Sequence, residues 1–339
     1  MFNGEHPHSR NGWSRRHAKR LTVSVAGLAA AALVAACGSS DTASGSSAST
    51  PDLGTVTVGV QPGNSQLNAF VAEAKGFFEK RGLHVKFTYL TGGGAEAVAA
   101  IKGGSMQFAS SNMVSAIQSA QKGIKTPCFA GHVGFNSKGN AYTVVGGKGV
   151  SSASDLAGKG IAVISTGSAN EVLADAYLDA NGVDYHSVKF VTAAAATMPA
   201  VLSSGNAAAG LINDPYGTQY IKGGGKLLER DPGKFIGQPL FSCWIAGEGW
   251  PAAHPEQVKA YLGGLDEAIT YLDAHTKDAD EAAAKYAKVP AASLDALTPW
   301  KFTTKMSDED INKWLTAGVK YGVLQPQVTM ADVYAPVTG

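Results

Sequence analysis

Cysteine is scarce in this chain, with three residues in 339, Cys37, Cys128 and Cys243, and no C-x-x-C pair. That excludes a thiolate metal knuckle and a thioredoxin-type redox motif. His84, His132, His186, His254 and His275 are scattered without H-x-x-x-H spacing, so no metal site is readable and no cofactor is expected. Neither a G-x-S-x-G elbow nor a phosphate-binding P-loop occurs, and the chain does not read as an enzyme. Excess charge is missing too. Arg10, Arg15, Arg16, Lys19 and Arg20 face only Glu5 in the first 36 residues, leaving 23 basic and 26 acidic residues, a net of −3. A weakly acidic body has no electrostatic footprint for nucleic acid. What remains is an ordinary globular composition, 45% hydrophobic and 16% charged, long enough for two domains.

The most informative stretch runs from Val85 to Asn112, VKFTYLTGGGAEAVAAIKGGSMQFASSN, and reads as strand, Gly-rich turn, helix, turn and strand. A second copy, VKFVTAAAATMPAVLSSGNAAAGLIN, spans Val188 to Asn213. Gly104 then matches Gly205, and Asn112 matches Asn213. A βαβ unit met twice predicts two similar α/β lobes, each with a mostly parallel sheet flanked by helices. Both copies end in polar clusters at a strand-to-helix junction, where open α/β sheets hold ligands.

The rest of the body obeys the same rules. Gly54 to Val60 alternates as a strand, and a helix is expected from Gln66 through Arg81. Cys128 and Cys243 fall in an outgoing strand, TPCFAGHVGF, and a returning one, LFSCWIAGEGW. The C-terminal third reads as helices packed on the first lobe, with Trp300 and Trp314 as core.

At the N-terminus SRRHAKR precedes a short apolar run, Leu21 to Ala36, and Cys37. This is the signal-peptide pattern, too short and too rich in small residues for a spanning helix. LVAAC resembles a bacterial lipobox, which implies that Cys37 is diacylated and holds the body to a membrane. SRRHAK is loosely similar to a twin-arginine signal, and the general secretory route stays open. Gly38 to Asp52 is a Gly/Ser/Thr/Ala tether without apolar bulk.

Several fragments, taken in order, resemble one family. AEAKGFFEKRGLHVKF, IKGGSMQFASSN, SDLAGKGIAV with STGSA after it, and LINDPYG are similar to segments of the solute-binding proteins that serve bacterial ABC importers for sulfonates, nitrate and thiamine-pyrimidine precursors. Gln107 stands where that family commonly has Asp. The resemblance implies a type II periplasmic-binding-protein fold with two crossover strands and a ligand between the lobes. It also implies a permease and an ATPase as partners. The boundaries expected are 1–36 signal peptide, 37–53 lipidated Cys and disordered tether, 54–138 with 239–339 as lobe I, and 139–238 as lobe II. The product would be a monomer on the outer face of the cytoplasmic membrane.

Strand-end turns should face the cleft. In the first lobe these hold Gln61, Asn64, Thr91, Gly92, Ser110, Ser111 and Asn112, with Gly93 beside them. In the second they hold Thr166, Gly167, Ser168, Asn170, Asn213, Asp214 and Tyr216. ISTGSAN suits an anion at a helix start, and suits an ordinary N-cap equally. Asp214-Pro215 is either a helix start or a partner for a cationic ligand end, which would fit an aminosulfonate such as taurine. No Arg lies at these turns, which disfavours a clamped dianion. Phe135, Asn136 and Tyr142 flank the first crossover, and Phe135, Tyr142 and Trp244 either stack on a planar ligand or fill the core. Cys128 and Cys243 are either a disulfide or two buried thiols. The ligand classes left open are sulfonate, taurine or nitrate, a thiamine-pyrimidine precursor, and an aromatic acid. An exported enzyme or a sensor on the same scaffold is the alternative to transport.

Overall fold

The computed structural model describes residues 50–135, 142–275, 284–288 and 300–337. The signal segment, Cys37 and most of the tether lie outside them, as does Asn136. Leu53, at the tether's end, donates its N–H to Gly82 O at 2.7 Å, so the chain is already held to the body there.

Thr55–Val60 (β1) alternates so that Val56, Val58 and Val60 are buried. The expected helix forms only as Leu67–Ala74 (α1). It stops because Gly76 takes a left-handed φ of 69°, a conformation that costs glycine little and ends a helix. Phe77 and Phe78 stay buried beyond the break, so the apolar spacing is real although the helix is not continuous. His84–Tyr89 (β2), Gly93–Lys102 (α2) and Phe108–Asn112 (β3) form the first repeat, and Met113–Gln121 (α3) comes after it. Cys128–Gly134 (β4) is fully buried.

The second repeat mirrors the first. Tyr142–Gly146 (β5) enters it, and Gly160–Val163 (β6) and Ala169–Ala180 (α4) take the places of β1 and α1. Lys189–Thr192 (β7), Met198–Ser203 (α5) and Ala209–Asn213 (β8) repeat β2, α2 and β3. Tyr216–Lys222 (α6) and Lys226–Glu229 (β9) complete the unit. Leu240–Ala246 (β10) returns. After it come Trp250–Ala253 (α7), Pro255–Ala274 (α8), the short Lys301–Phe302 (β11), Asp308–Lys320 (α9) and Met330–Val333 (α10).

Two sheets result, of six strands in the order β11-β4-β10-β3-β1-β2 and five in the order β7-β6-β8-β5-β9. In each, the first strand of a lobe lies between the two strands of its repeat, all parallel. In each, an antiparallel strand then joins the outer repeat strand, β10 beside β3 and β5 beside β8. The chain therefore crosses between sheets twice, after β4 and before β10. Phe135 marks the outgoing crossing and Gly233 the returning one. A Cβ on Gly233 would come within 2.4 Å of the Phe135 ring, so the two crossings are in direct contact there.

Cys128 and Cys243 are joined as a disulfide between β4 and β10, with 115 residues of sequence separation. Of the two alternatives left by the sequence, this is the bonded one. Trp314 is fully buried and donates Nε1–H to Leu240 O at 2.6 Å. The N-terminus of α9 carries a capping box between Ser307 and Asp310, and Asp310 Oδ1 also accepts from Leu240 N at 2.9 Å. The C-terminal helices do not all pack on one sheet's side. α8 lies against α1, whereas α9 touches both α3 and α4, one from each unit.

One charged residue is out of place by ordinary rules. Asp175, in the middle of α4, is 3% exposed and its Oδ1 has no hydrogen-bond partner. Burial pushes its carboxyl up to about 8, with the Glu171 carboxylate one turn earlier adding to the effect.

Candidate functional site

The carboxyl ends of all six parallel strands converge on one cavity of about 210 Å³ between the sheets. The residues just beyond each strand end make the wall. β1 gives Gln61, β2 gives Leu90 and Thr91, and β3 gives Ser111 and Asn112. From the other side β6 gives Ile164 and Ser165, β7 gives Ala194 to Ala196, and β8 gives Asn213. Strand ends expose backbone and side-chain polar groups that the ladder no longer uses, which is why ligands collect there.

Below the turn at Gly63, a 3₁₀ segment carries Ser65 and Gln66 into the wall, with Asn64 behind them. Gln66 is 1% exposed, and its Nε2 donates to Gln61 Oε1 and Ser110 Oγ, both at 2.9 Å. Ser110 Oγ donates to Gln61 Oε1 at 2.6 Å, and Gln61 Nε2 to Ser110 O at 3.1 Å. The network fixes the Gln66 carboxamide with its Oε1 buried and unpaired. On the facing wall Asn170 Nδ2 and Asn213 Oδ1 are also buried without partners. Buried polar atoms are nearly always hydrogen-bonded, so unpaired ones in residues that line a cavity leave hydrogen-bonding capacity for a ligand's polar edge.

Aromatic rings close another side. Tyr142, Phe241 and Trp300 line the cavity, with centroids 5.0 Å apart for Tyr142–Phe241 and 5.5 Å for Phe241–Trp300. Tyr216 lines it as well. Trp300 is held by donation of Nε1–H to Asn64 Oδ1 at 3.3 Å. Burial pushes the Tyr142 hydroxyl up to about 12, and the neighbouring Asn170 side chain opposes the shift. Gly94 lines the cavity where α2 meets α3, and a Cβ there would sit 2.5 Å from Asn112 Nδ2.

Among the described residues, no Asp, Glu, Lys, Arg or His side chain lines this cavity. The nearby helix starts are also neutralised from within. Glu96 Oε2 accepts from Thr91 N at 2.8 Å and from Gly92 N at 2.5 Å. Glu171 Oε2 accepts from Gly167 N at 2.7 Å. Backbone N–H groups that would otherwise favour an anion are thus already given to carboxylates of the same chain.

Of the candidates named from sequence, Gln61, Thr91, Gly93, Ser111, Asn112, Tyr142, Asn170, Asn213 and Tyr216 lie on the cavity wall. The others sit off it. Asn64 and Ser110 are one layer behind, bonded to wall residues. Gly92, Thr166 and Gly167 belong to turns beside it, and Ser168 caps α4 by accepting from Asn170 N at 3.2 Å. Asp214 is 1% exposed and its Oδ1 accepts from Thr218 N at 3.0 Å, so its carboxylate serves the start of α6. Phe135 packs in the core with Phe241, Trp300 and Trp314. Trp244 is fully buried between the rings of His132 and Tyr261, away from the cavity. His132 stays neutral there, because burial pulls its imidazole down to about 3, and its Nδ1 lies 3.0 Å from Ser242 Oγ.

Sequence reasoning missed Gln66, Ala194 to Ala196, Phe241, Ser242 and Trp300, all on the wall. The Ala turn was reachable, since Thr91 maps onto Ala194 at the repeat offset. Trp300, expected in the core, is 4% exposed and still contributes to the wall, because a ring can pack on one face and line a cavity with the other.

Comparison with known proteins agrees with this geometry. A Brucella abortus protein carrying only a provisional designation as a binding protein is 26% identical over 279 residues, 78% of this chain and 84% of its own length. The alkanesulfonate-binding protein SsuA of Xanthomonas axonopodis pv. citri superposes with a TM-score of 0.71 at 18% identity, covering 86% of this chain and all of that one, 100%. The periplasmic nitrate-binding protein NrtA of Synechocystis gives 0.69 at 15% identity, covering 83% of this chain and 86% of its own. The architecture is accordingly the periplasmic-binding-protein fold. The family match runs over residues 64–279, from the Asn64 turn through both sheets' strand ends to the end of α8, and with it the chain belongs to the NMT1/THI5-like family.

Proposed function

We propose that this chain is the extracytoplasmic, solute-capturing subunit of an ABC importer. In this reading Cys37 carries the lipid anchor behind signal residues 1–36, and 37–53 is the tether. Residues 54–138 with 239–339 act as one lobe and 139–238 as the other. The lobes close on a solute, and the closed monomer docks on a permease.

The solute we propose is a small, planar, uncharged ring that carries N–H groups, of the aminopyrimidine type. One observation carries this: among the described residues the wall has no formal charge, and its unpaired atoms include two acceptors, Gln66 Oε1 and Asn213 Oδ1, with one donor, Asn170 Nδ2. An anion takes only donors and would face both oxygens unfavourably. Rings of Tyr142, Phe241 and Trp300 supply the flat apolar contact such a solute needs. The sulfonate, taurine and nitrate readings, suggested by the names of the structural neighbours, want free backbone amides at the cleft, and Glu96 and Glu171 already take those of Thr91, Gly92 and Gly167 just ahead of α2 and α4. Taurine would further want an ammonium partner, and Asp214 does not reach the wall.

Calorimetric titration with aminopyrimidines, taurine, an alkanesulfonate, nitrate and benzoate tests the proposal. Aminopyrimidine binding near micromolar Kd, about −8 kcal/mol, is the expected result. Saturable binding of a sulfonate or nitrate with none of the ring compounds would overturn it. Turnover of any bound compound would favour the enzyme alternative. Gln66→Leu should weaken ring binding by roughly tenfold, the effect of one lost hydrogen bond at about 1.4 kcal/mol, while leaving the fold intact by circular dichroism.

A further inference from the structure

The C-terminal segment does something the two crossings do not. It is anchored to the six-stranded sheet at both ends. Thr303 N donates to His132 O at 3.0 Å, and Ala335 N donates to Cys128 O at 2.9 Å. Between these anchors α9 and the turn after it lie along α3, where Gln121 and Gln325 exchange hydrogen bonds. The same segment then reaches the other unit. Lys320 Nζ meets Asp179 Oδ2 at 2.6 Å, and Tyr321 OH donates to the same oxygen at 3.1 Å. Asp179 is near the end of α4, in the five-stranded unit. The rings of Tyr185 and Tyr321 meet edge-on at 5.1 Å, and Tyr185 OH donates to Lys320 O at 3.5 Å.

A second contact couples this bridge to the rim of the cavity. Gln118, on α3, donates Nε2–H to Gly167 O at 2.8 Å and to Val323 O at 3.3 Å. One carboxamide therefore ties α3, the turn before α4 and the C-terminal segment together. Asn170, three residues past Gly167, is a wall residue.

We propose that Gln118, Asp179, Lys320 and Tyr321 form a brace that holds the two units in the approached arrangement that shapes the cavity. These are positioning residues, because none of them lines the cavity. Rotation of one unit against the other must break the brace, since its partners sit on opposite sides of the crossings. The Lys320–Asp179 pair is more than a third exposed on both sides, so alone it shifts a two-state balance only a few-fold. Its effect comes from acting together with the Tyr185–Tyr321 contact and the forked Gln118 bond. The balance between approached and separated states is thereby set by residues that no solute touches.

Pulsed electron resonance distance measurement on the full chain without solute tests this. Spin labels go on Lys86→Cys in β2 and Lys189→Cys in β7, exposed edge positions of the two sheets, with Cys37→Ser so that neither a lipid nor a third labelling site is present. The unmutated brace should give one dominant distance. Gln118→Ala with Asp179→Asn should raise the ratio of separated to approached forms by about tenfold, with a longer distance appearing. Lys80→Ala, which breaks a pair with Glu267 inside one unit, should leave the distribution unchanged. An unchanged distribution in the double variant would overturn the proposal. If the double variant loses helix by circular dichroism, Gln118→Ala and Tyr321→Phe singly carry the same test. No solute enters the measurement, so its outcome is separate from that of the binding panel.

Discussion

Replacing Cys128 and Cys243 together by alanine should lower the unfolding free energy by about 3–5 kcal/mol, and the melting temperature by roughly 10 °C. The bond closes a loop of 115 residues, which contains the whole five-stranded unit. Without it the unfolded chain regains the freedom to separate β4 from β10, and stabilisation by loop closure grows with loop length. Both residues are fully buried, so alanine also leaves a small void. Thermal melts of the parent and the variant, each with and without reductant, make the check. The parent in reductant should approach the variant, and the variant should ignore reductant. Equal melting of parent and variant under oxidising conditions would show that the bond contributes nothing.

The second large effect is a change in slope rather than in level. Asp175 is held protonated in the folded state up to about pH 8, against an ordinary value of 3.8. Below the ordinary value both folded and unfolded forms are protonated, and the group costs nothing. As pH rises above it, the unfolded form releases its proton and the folded form cannot, so stability falls until pH passes the folded value. Asp175→Asn removes the titration while keeping the shape. The stability difference, variant minus parent, should therefore move in the variant's favour by on the order of 3 kcal/mol between pH 4 and pH 8. His132 titrates in the opposite sense, destabilising the fold as pH drops, but it is present in both proteins and cancels in the difference. Urea titrations at pH 4, 6 and 8 read it. Parallel profiles would mean that Asp175 is solvated or paired in the folded protein.

Much of the architecture is legible in the sequence, and the reason lies in the repeat. Val85–Asn112 and Val188–Asn213 each carry a strand, a helix and a strand, and both supply parallel neighbours of a central strand. A βαβ unit leaves a period-two and a period-three-to-four pattern in the same short window, and two such windows at a near-constant offset reinforce each other. Strand ends are equally accessible to this reasoning, and Gln61, Ser111, Asn112 and Asn213 do lie on the wall.

Features that depend on contacts between distant segments are not legible in this way. Asp214 and Ser168 have the residue types of ligand contacts and of helix caps, and only the partner decides between them. Phe135 and Trp300 are aromatic residues at the ends of their segments. One fills the space between the crossings and the other turns a face to the cavity, and no local periodicity separates these roles. The continuous helix expected through Arg81 fails at Gly76, where one left-handed glycine outweighs a correct apolar spacing. Packing of all the C-terminal helices on one lobe fails at α9, because sequence shows which face is apolar and not how many neighbours share it.

A wall without fixed charge has a bearing on where such a protein can work. Ions in the medium screen attraction between opposite charges over roughly 8–10 Å at ordinary strength, and steering by charge fades as brine thickens. A receptor that recognises shape, ring faces and amide edges has little to lose from that fading. If the solute is the uncharged ring proposed above, capture rates measured in dilute buffer and in several hundred millimolar sodium chloride should nearly coincide, so that brine would leave uptake undisturbed.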